Sequence, residues 1–505
     1  MPNTGVQTTN PIFGMRTWLL AGLVVLVCLL AITPRSFWID ECYTARLAEQ
    51  PTLQDCWQLL REVKGSDPQM PLYIFWIWSC EKIVGAGELA LRAVNLCWFL
   101  PALVALTMAF AGNRRLQNMM SLTFILSPFV WYYLNEARSY TMQFSCSLIV
   151  FAAVIRWLRE ERISAPAERG WAFGFAVALC CLCGSSLLAM VMAMTPLLLL
   201  LAALPRKRLL ELWKNFQLLW VVTLIALFGI GVYYLWTLHA GDRGTNVATT
   251  GWKNLIFIGY ELTGFAGLGP GRLEIRNGQT DVFRPYALVL LTYAILVLTL
   301  VALATADLRR KFGIKKLLVL MLAASLPAGL VLAASAASHF RILGRHYSAL
   351  FPVAILLLGF GLASAWRRNA AGRILVVAFG IFYVVSAGSL RFMARHEKDN
   401  YRAAAGTAKE ALGAGKTVWW NADPNAAIYY HVPLVKTGAT QAGQARWILP
   451  SKEGAFTAMT APDMVISSRR DVYDDGGKLA GFLAQEHYHL VTNFTAFTVW
   501  ERGID

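Results

Sequence analysis

Runs of about twenty apolar residues recur along the whole chain, and they restrict its fold more than any other feature. The first is RTWLLAGLVVLVCLLAI, residues 16–32. A bilayer core is ~30 Å thick and a helix rises ~1.5 Å per residue, so roughly twenty apolar residues cross it. Backbone polar groups cannot go unpaired there, which leaves helices as the economical solution. Such runs lie near 16–33, 89–111, 118–135, 139–157, 171–184, 186–204, 216–237, 285–306, 317–337, 347–366 and 374–392. The fold class is therefore a polytopic α-helical membrane protein with about eleven transmembrane helices. The stretch 118–157 would make one helix of ~60 Å. It must turn back midway, which puts NEARSY, residues 135–140, at a membrane face. Similarly 171–204 is too long for one crossing, and GSS at 184–186 offers the break. Of the 505 residues 57% are hydrophobic and 15% charged, too little charge for the surface of a soluble domain.

The formal net charge is +16. Nucleic-acid binding is one way to use a basic chain, but here the cations gather in short connections: NRR, RWLREER, RKR, DLRRKFGIKK and RRNAAGR, in 112–117, 156–170, 205–215, 307–316 and 367–373. With eleven spans these five fall on one side, together with the N-terminus. Cytoplasmic loops collect Lys and Arg, so that side is cytoplasmic and no nucleic acid is implied. The opposite side carries the long loops 34–88 and 238–284, the segment 338–346 and everything after 392. The first run lacks an Ala-x-Ala-like cleavage site and is read as a retained helix. Residues 393–505 change character: DNYRAAAGTAKEALGAG reads as a helix, KTVWWNA, ARWILP, DMVIS and YHLVTNFTAFTVWE as strands, and KLAGFLAQEHY as another helix. The expected organisation is a transmembrane domain, 1–392, and a small soluble extracytoplasmic α/β domain, 393–505. All nine cysteines lie before residue 184. The cluster CCLC at 180–183 sits in an apolar run and reads as packing. Among Cys42, Cys56 and Cys80 of the first long loop, any one disulfide pairing is open.

Ionisable groups beside a membrane are costly unless paired or functional. Three clusters map to the outer face. The first is Asp40–Glu41 in WIDECY, flanked by Trp38 and Tyr43; a partly desolvated carboxylate there can accept a proton. The second is SDPQMPLYIFW, 66–76, where Asp67 precedes Pro68 and Pro71, and the prolines stiffen the loop and start a helix. The third combines NEARSY with RILGRHYS, 341–348. Glu136, Arg138 and Arg345 stand at outer helix ends, where arginine is otherwise disfavoured. Guanidinium suits a phosphate through paired hydrogen bonds. Together the clusters describe one outer-leaflet site of carboxylates beside guanidiniums. That suggests a lipid phosphate as ligand and a hydroxyl or amine to deprotonate.

The succession WIDECYTARLA, DPQMPLYIFWIW, ELALRAVNLCW and LSPFVWYYLNEARSYTM, followed by the late RHYSALFP, resembles the GT-C membrane glycosyltransferases. Among them it is similar to the family of protein O-mannosyltransferases and the lipid A aminoarabinose transferase. The resemblance covers most of 36–160 and one later motif. It departs from the family in two places. The usual His-x-Pro-Pro-Leu is here Asp67-Pro-Gln-Met-Pro71-Leu72, and the usual Arg-Tyr is split by His346. The resemblance implies a GT-C-like fold and a polyprenyl-phosphate-linked sugar used at the outer face. It implies Asp40 as catalytic base with Glu41 beside it, and Arg138 and Arg345 as ligands of the donor phosphate. Tyr43, Tyr73, Tyr140, His346 and Tyr347 become walls of the site.

The expected function is an inverting glycosyltransferase, hexosyl- or pentosyl-transferring, with a polyprenyl-phosphate sugar as donor and a lipid, glycan or protein as acceptor. A divalent metal held by carboxylates is compatible with this chemistry, and the sequence assigns none. The expected location is a bacterial inner membrane, because the long lumenal repeat domain of the eukaryotic mannosyltransferases is absent. The alternatives are a lipid-linked-sugar transporter or flippase, and an envelope sensor. A transporter is expected to bury charge at mid-bilayer and to show internal repeats; the acidic groups here gather at one face. A sensor would use Trp419, Trp420, Tyr429 and Tyr430 of the last segment to stack on sugar, where core packing is the simpler role.

Overall fold

A computed structural model describes residues 15–62, 67–159, 165–240, 250–278, 281–435, 443–450 and 459–503. Ser66, the middle of the basic connection 156–170 and parts of the loop 238–284 lie outside the described residues. Helix α1 (Met15–Ala31) ends in an extended stretch, after which α2 (Ile39–Ala48), α3 (Leu53–Glu62) and α4 (Pro71–Val84) fill the first long loop. Pro71 stands in the first turn of α4, where its missing N–H costs nothing. Helices α5 (Glu88–Ala93) and α6 (Leu96–Ala109) follow, then α7 (Arg114–Ile125) and α8 (Pro128–Leu134). The break between α7 and α8 is set by Pro128 in the first turn of α8 and by Ser127, whose hydroxyl accepts from Val130 N–H. Helix α9 (Tyr140–Arg159) follows, so 118–157 is not one helix and is interrupted at NEARSY.

Next come α10 (Ala165–Ser185), α11 (Leu187–Met192), α12 (Met194–Ala203), α13 (Arg206–Asn215) and α14 (Gln217–Ala240). The basic stretch 205–215, expected as a loop, is mostly the helix α13. Helices α15 (Trp252–Leu262) and α16 (Arg272–Gly278) order much of the second long loop. Helix α17 (Ala287–Ser338) joins two expected spans. As one rod it would measure ~78 Å, but Gly313 has φ 78°, ψ 164° and breaks it inside the basic stretch 307–316. That stretch was expected as a loop and is helical on both sides of Gly313. Helices α18 (Phe351–Arg368) and α19 (Ala370–Phe392) complete the helical part.

Among the described residues six helices are long and apolar enough to cross a membrane, and a seventh if the bent pair Leu187–Ala203 and Arg206–Asn215 counts as one. By that measure the expected count of eleven is not reached among the described residues. Two expected spans are merged in α17, 118–135 is split by Pro128, and the described apolar part of the first helix, Leu19–Ala31, is short. The lipid-facing character is plain in α14, where Leu218, Ile225, Phe228 and Leu235 are all exposed. Where helices meet closely, glycine makes room. A Cβ on Gly361 of α18 would stand 2.3 Å from the Leu300 carbonyl oxygen of α17.

After α19, helix α20 (Tyr401–Gly413) leads to a six-stranded sheet of β1 (Val418–Asn421), β2 (Leu434–Val435), β3 (Ala445–Trp447), β4 (Met464–Ser468), β5 (Tyr488–Phe494) and β6 (Phe497–Arg502). The order is β2-β3-β1-β4-β6-β5, parallel through β4 and antiparallel beyond it. Helices α21 (Pro424–Tyr429), α22 (Arg470–Tyr473) and α23 (Lys478–Gln485) connect the strands. YHLVTNFTAFTVWE, read as one strand, is a hairpin. It reverses at Thr495–Ala496, with Ala496 at φ 70° instead of the glycine that usually marks such a turn. Trp419 and Trp420 are wholly buried, and so are core residues. The sheet region does not stand apart: Phe37, Cys42 and Ala45 of the first loop share one apolar cluster with Tyr401, Trp420 and Tyr430. The Tyr430 hydroxyl accepts from Phe37 N–H at 2.8 Å.

Candidate active site

The two adjacent carboxylates of the WIDECY motif meet different fates. In the first turn of α2, Glu41 points inward and its side chain is 0% exposed; Asp40 is 28% exposed. Glu41 is clasped by Arg92 of α5, whose Nε and Nη2 donate to the two carboxylate oxygens at 2.9 and 2.8 Å. Ala137 N–H adds a third bond at 2.9 Å, and Lys398 Nζ lies 3.8 Å away. Burial alone would raise the Glu41 carboxyl, but Arg92 and Lys398 hold it below its ordinary range. Arg92 also donates to the carbonyls of Thr33, Arg35 and Ser36, fixing the turn that follows α1. Asn95, one helical turn on, donates to the carbonyls of Leu134 and Glu136. The ELALRAVN motif is thus a clamp that docks WIDECY against NEARSY.

Asp40 is the more open of the two carboxylates. Its Oδ2 lies 3.3 Å from Nη1 of Arg345, in the 3-10 turn Gly344–Leu350 that leads into α18. Arg345 is held over the rings of Trp38 and Tyr140, at 5.4 and 5.9 Å. Among the described residues its Nε has no hydrogen-bond partner. Gly344 is needed beside it, since a Cβ there would lie 2.1 Å from Glu261 Oε2. Glu261 of α15 in turn pairs with Arg272 at 2.6 Å, and Arg272 donates to the Tyr133 hydroxyl.

The remaining expected site residues divide. Arg138 and Asp67 come together with Asp40, paired with each other at 2.6 Å. Arg138 Nη1 also donates to Thr44 Oγ1 and to the Asp40 carbonyl. Asp67 is wholly enclosed; burial raises its carboxyl, Arg138 pulls it back and Asp40 pushes it up. Arg138 is 2% exposed, and its guanidinium is engaged by Asp67, Thr44 and the Asp40 carbonyl. Tyr140 lines the site, edge-on to Tyr133 at 5.0 Å. Tyr43 faces the sheet region and donates to Asp423 at 3.3 Å. Tyr73 is buried in the core below. Glu136 is buried beside Lys398 at 3.0 Å, on the Glu41 side. His346 turns to its own backbone, Nδ1 accepting from Leu343 N–H, and Tyr347 points away to donate to the Ala328 carbonyl. These last two are not brought to Asp40.

Sequence reasoning missed Arg92, Lys398, Arg272 and Glu261. Arg92 had a signal, an arginine at the start of an apolar run; Lys398 in RHEKDN had none. From the sheet region come Asp399 and Arg469, an ion pair whose members both feel the charge of Asp40. Among the described residues no group of three or more His, Cys, Asp or Glu could hold a metal ion. All nine cysteines are free thiols, so Cys42, Cys56 and Cys80 form no disulfide with one another.

No protein-family model matches the chain, and no curated protein matches it in sequence. Solved structures do. ArnT from Cupriavidus metallidurans bound to undecaprenyl phosphate superposes with a TM-score of 0.51 at 15% identity, over 96% of this chain and 97% of its own. The chain shares its fold with ArnT, a GT-C glycosyltransferase. ArnT in the apo state gives the same TM-score at 14% identity, again over 96% and 97%. The arabinofuranosyltransferase AftD from Mycobacteria covers 97% of this chain and 40% of its own at 14% identity, with a TM-score of 0.43, too distant to carry an argument. The likeness expected from motifs in 36–160 thus extends over nearly the whole chain.

Proposed function

We propose that this protein is an integral-membrane glycosyltransferase that moves a sugar from a polyprenyl-phosphate carrier to an acceptor at the extracytoplasmic face, with inversion at the anomeric carbon. The observation that carries the reading is the partly exposed Asp40 beside Arg345, in the loop that follows the first apolar helix, next to a neighbour, Glu41, that is fully consumed by Arg92. A lipid carrier is supported by ArnT, the solved structure of similar fold, which is bound to undecaprenyl phosphate.

In the reaction, Asp40 takes the proton of the acceptor O–H or N–H. The acceptor atom forms its bond to the anomeric carbon from the face opposite the phosphate. The carbon–oxygen bond to phosphate breaks, and its electron pair leaves with the phosphate. The anomeric carbon passes through an oxocarbenium-like state. Arg345 swings from Asp40 to the departing phosphate, which frees the base as it stabilises the leaving group. Glu41 is a positioning residue: with Arg92 it sets the pitch of α2 and so the aim of Asp40. Arg138 and Asp67 fix the other side of the same turn. Asp399 and Arg469 bring the sheet region to the edge of the site, where the acceptor enters.

A panel of polyprenyl-phosphate sugars supplied to the protein in nanodiscs tests this. Release of polyprenyl phosphate with one sugar, and an inverted anomeric configuration in the product, is the expected result. Movement of intact lipid-linked sugar across the bilayer without cleavage would replace the proposal with a flippase. The domain division, 1–392 against 393–505, belongs to the same proposal, the second part acting as a cover that selects the acceptor.

A further inference from the structure

Apart from Asp40, which is not in its lining, a solvent-open cavity lies among the ends of α1 and α19, helix α8 and the linker before α20. Five cations line it, Arg35, Arg92, Arg391, Lys398 and Arg402, against one carboxylate, Glu397. Four of the five have a carboxylate partner. Arg35 reaches Glu397 at 3.4 Å, Arg92 reaches Glu41 at 2.8 Å, Lys398 reaches Glu136 at 3.0 Å and Arg402 reaches Glu88 at 3.3 Å. Arg391 has no ion-pair partner among the described residues. Its Nε donates to the Leu30 carbonyl at 2.6 Å, which fixes its guanidinium against the last turn of α1. The pair of Arg35 with Glu397 is solvent-exposed on both sides and therefore weak, so the Arg35 guanidinium can turn to a better anion. His396, also in the wall, is held to about 4 by burial and by Arg395, and adds no charge at neutral pH.

The other wall is apolar, with Ala31, Trp131, Ala387 and Leu390. The two helices that bound the cavity expose Leu29, Val384, Val385 and Phe392 alongside it. One uncompensated guanidinium above aliphatic surface, at the end of two membrane helices, has the chemistry of a phosphate headgroup on a hydrocarbon tail. Tyr132 connects this cavity to the rest of the molecule: it lines the cavity, and its ring also carries the guanidinium of Arg272 at 4.3 Å.

We infer that this cavity is a second anion site, which holds the net-anionic phosphate headgroup of a membrane lipid, one without a compensating choline, through Arg391 and Arg35, apart from Asp40. The inference is independent of the transfer reaction and is read by binding alone. Native mass spectrometry of the full chain in detergent, with phosphatidylglycerol, phosphatidylcholine, undecaprenyl phosphate and inorganic phosphate as probes, tests it. One phosphatidylglycerol or undecaprenyl phosphate is expected to stay bound per chain, in preference to phosphatidylcholine. Arg35→Gln with Arg391→Gln is expected to weaken that retention roughly tenfold or more, the worth of a charge-assisted hydrogen bond. Arg391→Lys keeps the charge and is expected to restore most of it. Arg35→Gln alone, at an exposed position, guards against a folding defect and is expected to show an intermediate loss. Displacement of phosphatidylglycerol by undecaprenyl phosphate would identify the carrier lipid as the occupant, and failure to displace it would identify bulk phospholipid; both support a lipid-phosphate site. Equal retention of phosphatidylcholine, binding of inorganic phosphate without any lipid, or glutamine variants that bind like wild type would overturn it.

Discussion

Replacing Glu41 by Gln separates the two carboxylates of WIDECY by their physics. Glu41 is completely enclosed and accepts from Arg92 twice and from Ala137 N–H once, with Lys398 close behind. The amide that replaces it carries no charge, and so Arg92, itself 0% exposed, is left as an unpaired buried cation. Removing one partner of such a pair costs about 3–5 kcal/mol. That is a large part of the ~5–15 kcal/mol that holds a typical domain together. Asp40 and Arg345 are partly open to solvent, so Asp40→Asn is expected to cost only about 0–1 kcal/mol. Thermal unfolding in detergent, followed through the 18 tryptophans, measures both. The Glu41→Gln midpoint is expected far below wild type and the Asp40→Asn midpoint beside it. The pH dependence follows the same logic. The Glu41 carboxyl lies below its ordinary 4.5, so its stabilising contribution is present above that value and is lost as pH falls through the folded value. Wild type therefore loses this term on acidification, whereas Glu41→Gln has none to lose. A Glu41→Gln protein that melts like wild type yet transfers no sugar would refute the assignment and make Glu41 the reactive carboxylate.

Three further outcomes are expected. Arg345→Gln removes the stabiliser of the leaving phosphate and is expected to lower kcat roughly 10²–10³-fold with the unfolding midpoint little changed; an unaltered kcat would contradict its role. Gly361→Ala forces a methyl group against the Leu300 carbonyl oxygen, so α17 and α18 separate and stability falls by about 1–3 kcal/mol in a thermal melt. Glu49, half-buried beside Glu81, has its carboxyl raised to about 7. Its folded form keeps a proton that the unfolded chain releases above 4.5, so stability is lost as pH rises from there to about 7. Glu49→Gln is therefore expected to raise the unfolding midpoint at pH 8 and to leave it unchanged near pH 4; the same midpoint at both would contradict the shift.

What could be read from sequence, and what could not, follows from the range of the interactions. Apolar length located the helices, and local chemistry located their starts, as Pro71 and Pro128 show. The interruption at NEARSY followed from length alone. The break of α17 at Gly313 was legible only as a loop, because basic residues hide a helix that continues on both sides. The hairpin at Thr495–Ala496 was missed because its turn lacks glycine. In the site, Asp40, Asp67, Arg138 and Arg345 were named from their types and positions, and the structure brings them together. Their roles were not separable in sequence. That Glu41 is consumed depends on Arg92 and Lys398, which approach it only once α5 and the linker before α20 are packed. His346 and Tyr347 were expected as site walls because the resemblance implied it, but in the 3-10 turn they bond to Leu343 N–H and the Ala328 carbonyl.

The central claim is that Asp40 removes the acceptor proton. The direct measurement is sugar transfer by wild type and Asp40→Asn in nanodiscs, on whichever polyprenyl-phosphate sugar wild type cleaves, with donor affinity measured on the same samples. The account predicts that Asp40→Asn binds donor as wild type does and transfers essentially no sugar. Transfer at the wild-type rate by Asp40→Asn would contradict it.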